Sequence, residues 1–200
     1  MNRFTMLVAA AAIAAPISPA WAEKIPLAEI SDYFNAMFNA SSPFTQINDD
    51  GTLSTGNIMI RRPGRIRFEY DPPDQSLVMA GQGKVAVFDP KSNQPPERFP
   101  LTKTPLFLIL SSDVDLGRAN MVVGHTDDGI ATNVIAQDPN HPEYGYIQLV
   151  FTGDPVELRQ WVITDGSGAK TTLILGDLQM GGSMPTKLFD IGAEMEARGF

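Results

Sequence analysis

The feature that most limits this chain is its punctuation. From Phe44 onward, short stretches rich in Val, Ile, Thr and aromatics alternate with clusters of turn residues. The stretches are 44–49, 53–62, 65–70, 76–80, 84–89, 96–101, 119–125, 130–137, 145–152, 156–164 and 169–179. Between them lie Asp49-Asp50-Gly51, Pro63-Gly64, Asp71-Pro72-Pro73-Asp74, Gly81-Gln82-Gly83, Asp127-Asp128-Gly129, Gly153-Asp154-Pro155 and Asp165-Gly166-Ser167-Gly168. About eleven short strands joined this tightly predict an antiparallel meander. A parallel α/β sheet is excluded, because each parallel pair needs a crossover connection of a dozen or more residues. Two hundred residues suit one domain, and neither an internal repeat nor a linker interrupts them.

Two segments break the strand rhythm. In Leu27 to Ala40 the residues Leu27, Ile30, Phe34, Met37 and Phe38 recur at spacings of three and four, which predicts a helix after Pro26 and before Ser41-Ser42-Pro43. Thr104 to Ser112 begins with Thr-Pro, a helix-start signal, and Leu106 to Leu110 are all apolar. A helix apolar on every side must be covered all round, and the concave face of the sheet is the expected cover. The strands Leu77-Val78-Met79-Ala80 and Val85-Ala86-Val87-Phe88 barely alternate. That pattern fits either a helix-covered sheet closing on itself or the wall of an apolar ligand cavity.

Composition removes several chemistries. The chain has no Cys, so disulfides, zinc–thiolate sites, iron–sulfur clusters and cysteine nucleophiles are out. A net charge of −8 argues against nucleic-acid binding and against a polybasic membrane-surface protein. Residues 1–22 read as a cleaved signal peptide: Arg3, an apolar run from Met6 to Ala15, breaks at Pro16 and Pro19, and the small-x-small site Ala20-Trp21-Ala22. The run is too short to span a bilayer, so residues 23–200 are expected as one soluble, exported domain.

No catalytic constellation stands out. His125 and His141 fall at a strand end and in a Pro-rich turn, where packed or surface roles are expected. Gly166-Ser167-Gly168-Ala169-Lys170-Thr171 lies between strands, whereas a phosphate loop opens a helix, so it reads as a hairpin. No cofactor or metal is expected. Four arginines, Arg61, Arg62, Arg65 and Arg67, do cluster in an otherwise acidic chain. On a strand, Arg65, Arg67, Glu69 and Asp71 share one face, and Ile66, Phe68 and Tyr70 the other. Arg61, Arg65 and Arg67 are expected on a solvated face with cross-strand ion pairs. An arginine that turned inward would need acceptors, and carbonyls at the end of a buried helix would serve.

The stretch Arg62-Pro63-Gly64-Arg65-Ile66-Arg67-Phe68-Glu69-Tyr70-Asp71-Pro72-Pro73 resembles a motif of the LolA family, the periplasmic outer-membrane lipoprotein carrier proteins. Other pieces follow in the family's order: the N-terminal helix, Phe44-Thr45-Gln46, Gly83-Lys84 before Phe88-Asp89-Pro90, the Thr104–Leu110 segment, Trp161 to Asp165, and Thr171-Thr172-Leu173. The hairpin Lys84 to Phe88 is leaner in aromatics than is usual in the family, and little chain remains after Asp190-Ile191 for a C-terminal extension. The resemblance implies a mainly β fold (α+β), a highly curved, unclosed antiparallel β-barrel with helices forming a lid over an apolar cavity.

It further implies a non-enzymatic periplasmic chaperone, expected to be monomeric. Acylated lipoproteins would pass to it from an inner-membrane ATP-driven lipoprotein-releasing complex and leave it at an outer-membrane lipoprotein receptor. Arg62 would gate the lid by bonding carbonyls of the helix at 105–110. The expected acyl-chain cavity residues are Phe44, Phe68, Tyr70, Leu77, Met79, Val87, Leu106, Phe107, Ile109 and Leu110. The alternatives are a lipid-binding or lipoprotein-sensing protein of the same fold, or an enzyme whose site the sequence does not reveal. Without a Cys, the chain cannot carry the usual N-terminal lipid anchor, which within this fold favours a diffusing carrier over an anchored receptor.

Overall fold

Turn chemistry divides the chain almost where expected. The computed structural model describes residues 23–117 and 120–200, so the expected signal peptide lies outside the described residues. The first helix, α1 (Leu27–Ala36), buries Ile30 and Phe34 and ends at Met37, three residues earlier than its apolar spacing suggests. The chain turns there because β1 (Asn39–Ile47) already pairs with β2 (Leu53–Arg61) from Asn39 onward. A nine-residue ladder outweighs one more weakly apolar helical turn.

Next come β3 (Arg65–Tyr70), β4 (Leu77–Gly81), β5 (Lys84–Phe88) and β6 (Glu97–Pro100). A short helix, α2 (Leu106–Leu110), precedes β7 (Val122–Asp127), β8 (Thr132–Gln137), β9 (Gly145–Thr152), β10 (Glu157–Asp165) and β11 (Lys170–Leu175). The two-residue β12 (Gln179–Met180) and the helix α3 (Ile191–Ala197) complete the order. After Asp190 the chain thus adds one short helix.

All pairings are antiparallel, and the path runs β6-β5-β4-β3-β2-β1-β11-β10-β9-β8-β7, with β12 paired to β1. The sheet is therefore unclosed, and β6 and β7 are its two edges. The chain between those edges, residues 101–121, carries α2. Its start is tied to the β4–β5 turn by Leu101 N–H donating to Gly83 O (3.0 Å). Its end is tied to β8 by Gln137 N–H donating to Met121 O (2.7 Å). What would be a hydrogen-bonded seam in a closed barrel is here a strap with a helix in it.

One face of the sheet packs on α1 and α2. Its core includes Ile58, Phe68, Val134, Leu149, Phe151, Trp161 and Leu173 from the strands, with Phe34 and Leu110 from the helices. The other face is covered over β3–β5 by the C-terminal segment, where Leu77, Met79, Ala86 and Phe88 meet Ile191 of α3. Arg67 lies under this segment and is only 9% exposed. It pairs with Glu69 (2.7 Å) and Glu194 (3.0 Å) and donates to Leu188 O (3.0 Å). Sequence alternation placed Arg67 on a solvated face; the C-terminal segment folds back over that face and buries it.

Glu194 is also held by Arg198 (2.8 Å). Burial pushes the Glu194 carboxyl up, but the hydrogen bonds and charges of Arg198 and Arg67 together outweigh it and hold it below the usual carboxylate range. A carboxylate depressed in the folded state stabilises above its unfolded value, and that contribution fades as pH falls through the folded value. Protection of the α3 amides against hydrogen exchange is therefore expected to drop below about pH 4 while the core strands keep theirs. Glu194→Gln should remove that difference between acid and neutral pH; an unchanged acid response in the variant would dismiss the role.

Candidate functional site

A cavity of about 610 Å³ opens between the start of the strap and the sheet's inner face. Its apolar walls are Phe68, Val78, Val85, Leu106, Trp161 and Leu173, and its rim carries Lys103, Glu143 and Asp165. Strand alternation explains this wall. Phe68 stands directly opposite Val78, and Trp161 directly opposite Leu173, so both pairs face inward together. Trp161 is 1% exposed and meets Phe68 edge to face at 6.4 Å, which fixes the cavity floor.

One polar pair sits in this wall. The Tyr70 hydroxyl donates to Gln46 Oε1 (2.6 Å). Burial, helped by the nearby Asp74 charge and opposed by the Gln46 bond, pushes the Tyr70 hydroxyl up to about 12. It stays protonated at every physiological pH, so the cavity wall carries no charge there. A mostly apolar cavity of this size with few polar groups suits an apolar ligand.

The strap is also held just past the end of α2. The β2–β3 turn places Arg62, 7% exposed, so that its Nη2 donates to Ser111 O (2.6 Å), just past the end of α2. A longer contact reaches Asn35 Oδ1 (3.4 Å). Beside it, Gly64 N–H donates to Leu110 O (2.8 Å), and Gly64 sits at φ +70°, a conformation glycine adopts freely. Arg62 Nε is buried with no hydrogen-bond partner among the described residues. Burial pulls the Arg62 guanidinium below its usual range, and the nearby Asp113 charge acts the other way. Arg62 thus gives the chain just past α2 one strong hydrogen bond from an incompletely satisfied cation, beside the Gly64–Leu110 bond.

Among the described residues no three His, Asp or Glu side chains converge to hold a metal. His125 Nε2 contacts Ile25 O (2.9 Å), while Ile25 N–H donates to Thr132 Oγ1 (3.0 Å), so His125 and Thr132 together fasten Ile25 to β7 and β8. His141 stacks on Tyr144 at 4.7 Å and meets Glu143 (3.0 Å) beside the cavity rim. No helix among the described residues is long and apolar enough to cross a membrane.

The family model described as outer membrane lipoprotein carrier protein LolA matches residues 37–192. This chain belongs to the LolA family. An outer-membrane lipoprotein carrier protein of Azotobacter vinelandii is 25% identical over 199 residues, covering 95% of this chain and 94% of that one. One from Pseudomonas aeruginosa is 24% identical over 196 residues, covering 92% and 91%. Among solved structures, a candidate outer membrane lipoprotein-sorting protein domain from Vibrio parahaemolyticus matches with a TM-score of 0.51 at 10% identity, covering 83% of this chain and 95% of that one. That likeness bears on the fold alone.

The LolA-type site residues expected from sequence separate into groups. Phe68, Tyr70 and Leu106 line the cavity. Phe44 is buried behind it, edge to face with Tyr70 at 5.2 Å and with Phe68 at 5.9 Å. It seats over Gly56, where an added Cβ would come within 2.8 Å of the Phe44 ring and 2.2 Å of Glu69 O. Val87 pairs with Val78 on the cavity side of the sheet but does not reach the cavity. Ile109 and Leu110 are buried in the main core without lining the cavity.

Leu77 and Met79 do not face the cavity at all. They point to the opposite side of β4 and pack on α3, because the pleat that turns Val78 inward turns both of its neighbours outward. Phe107 is 38% exposed, so α2 is not covered all round. Arg62 does not border the cavity: it holds the far end of α2, while the cavity lies under the near end. Sequence reading missed Gln46, Val78, Val85, Trp161, Ile163 and Leu173. Alternation with Phe68 as origin would have found Val78, given the β3–β4 register, which no local signal supplies.

Proposed function

We propose that this protein carries acylated lipoproteins across the periplasm from an inner-membrane ATP-driven releasing complex to an outer-membrane receptor. Membership of the LolA family supports the reading. The observation that carries it in this chain is the apolar cavity of about 610 Å³ beneath a strap that the protein itself latches.

Burial of acyl chains is worth about 0.8 kcal/mol per methylene, so a chain of roughly fifteen methylenes gains about 12 kcal/mol on leaving water. Such cargo cannot cross an aqueous space unprotected. A fixed cavity with that gain would also hold cargo too tightly to deliver it. A cavity the protein closes by itself solves both problems. Cargo entry must break the Arg62–Ser111 contact, and closure restores it on delivery, which offsets part of the binding energy. Leu106 and Phe68 contact the cargo, and Arg62 acts on it through α2.

Depletion of the protein is expected to strand outer-membrane lipoproteins at the inner membrane, and the parent chain to restore them. Arrival at the outer membrane without it would end the carrier reading. Val78→Trp puts a large ring into the cavity beside Phe68. It is expected to fold, to bind an acylated lipoprotein at least about ten-fold more weakly, and to fail in restoring transport. Normal transport by this variant would show that cargo lies elsewhere.

A further inference from the structure

Resting on the carrier reading, we propose that Asn35 and Ser31 of α1 are the fixed side of the latch and set how readily the strap opens. They are positioning residues for the strap and do not touch cargo. Arg62 alone makes one hydrogen bond to the strap, to Ser111 O. The residues after Ser111 are held by side chains of α1. Asn35 Nδ2 donates to Val114 O (2.9 Å), and Asn35 Oδ1 accepts from Val114 N–H (3.0 Å). One amide side chain thus pairs both backbone groups of one strap residue, as a neighbouring strand would. Ser31 Oγ accepts from Leu116 N–H (3.1 Å) and donates to Leu27 O (2.8 Å), so its proton is committed within α1 and its lone pair to the strap.

The spacing makes the two contacts a matched set. Ser31 and Asn35 stand one helical turn apart, about 6 Å along the axis. Val114 and Leu116 are two residues apart, about 6.6 Å in an extended chain. The helix therefore presents two polar side chains at the period of an extended backbone. Val114 and Leu116 are 1% and 2% exposed, so these backbone groups have no water to replace the bonds. Asn35 Oδ1 also faces Arg62 Nη2 (3.4 Å), which joins both halves of the latch in one network. Opening the strap at Arg62 while Asn35 and Ser31 hold would move α2 without releasing residues 114–116.

The absence of native Cys makes the test direct. Spin labels at Ser112→Cys on the strap and Lys170→Cys at the start of β11, both exposed positions, report their separation by pulsed electron resonance. The cargo-free parent is expected to show one narrow distance. Asn35→Leu and Ser31→Ala are each expected to add a second distance, with the open-to-closed ratio raised about ten-fold for Asn35→Leu. Asn35→Asp keeps the acceptor for Val114 N–H and Arg62 and is expected to restore most of the closed population. In the double variant with Arg62→Leu the effects should be non-additive, as for groups in one network.

A lower melting temperature with the parent's single distance in both Asn35→Leu and Ser31→Ala would overturn the inference, since that is what a merely structural role produces. Equal opening in Asn35→Asp and Asn35→Leu would do the same. The distances are read without cargo, so a failure here leaves lipoprotein transport to be judged by the depletion experiment alone.

Discussion

Arg62→Leu is expected to fold as well as the parent chain, to hold acylated lipoprotein more tightly, and to lose most of its capacity to hand it on. The guanidinium is buried, its Nε is without a partner, and desolvation works against its charge. Replacing such a group by an apolar one of similar volume is often neutral or stabilising, so the melting temperature should change little. On the carrier reading, however, the lost bond to Ser111 O belongs to the closed strap. A hydrogen bond from a charged donor is worth about 1.5–3 kcal/mol. Its loss favours the open, cargo-holding form by roughly 10–100-fold. Slower cargo release in a two-vessel transfer assay, with binding and melting retained, is the expected combination. Parent-like release would show that Arg62 has no part in gating.

Trp161→Ala carries the largest expected loss of stability. Among the described residues Trp161 is the largest fully buried side chain; it lies on β10 in the main core and braces Phe68. Truncating a buried Trp costs about 3–5 kcal/mol because the space left refills only in part. For a domain of this size that lowers the melting temperature by on the order of 10 °C. The site borders a cavity that already exists, so the variant should also admit bulkier apolar probes than the parent. A drop of only a few degrees would mean that the neighbouring walls collapse inward, and uptake of bulkier probes would then fall. Thermal unfolding and probe titration on the same sample separate the two results.

Both expectations depend on placements that the sequence disclosed unevenly. The meander was legible because its causes are local: β-rich runs end where Asp-Gly, Pro-Gly or Gly-Gln-Gly set the turn, and β3 falls on the residues its alternation marked. The all-apolar α2 was legible as well, and so was the need of an inward-turned arginine for acceptors, since each is costly unless something covers it, although only the family resemblance pointed to Arg62. Leu77 and Met79 were not, because their strand is apolar on both faces and an apolar residue does not say which face it takes. Arg67 was misplaced for a related reason. A polar-looking face stays solvated only if nothing folds over it, and α3, more than 120 residues away in sequence, does.

The sequence by itself determined that the sheet is antiparallel, the number of its strands to within one, and the need for an apolar helix to be sheltered. Those follow from backbone propensity, turn chemistry and the cost of exposing apolar surface, which act over a few residues. It did not give the sheet order, since a plain meander would set β6 beside β7 and would not pair β1 with β11. Only the tertiary structure decided that the sheet stays open between β6 and β7, and that Arg62 holds the strap just past the end of α2 while the cavity lies under its start. The same holds for Ser31 meeting Leu116, for Asn35 meeting Val114, and for Trp161 meeting Phe68. These contacts join residues 79 or more positions apart, and their partners become neighbours only when strand register and sheet curvature are set.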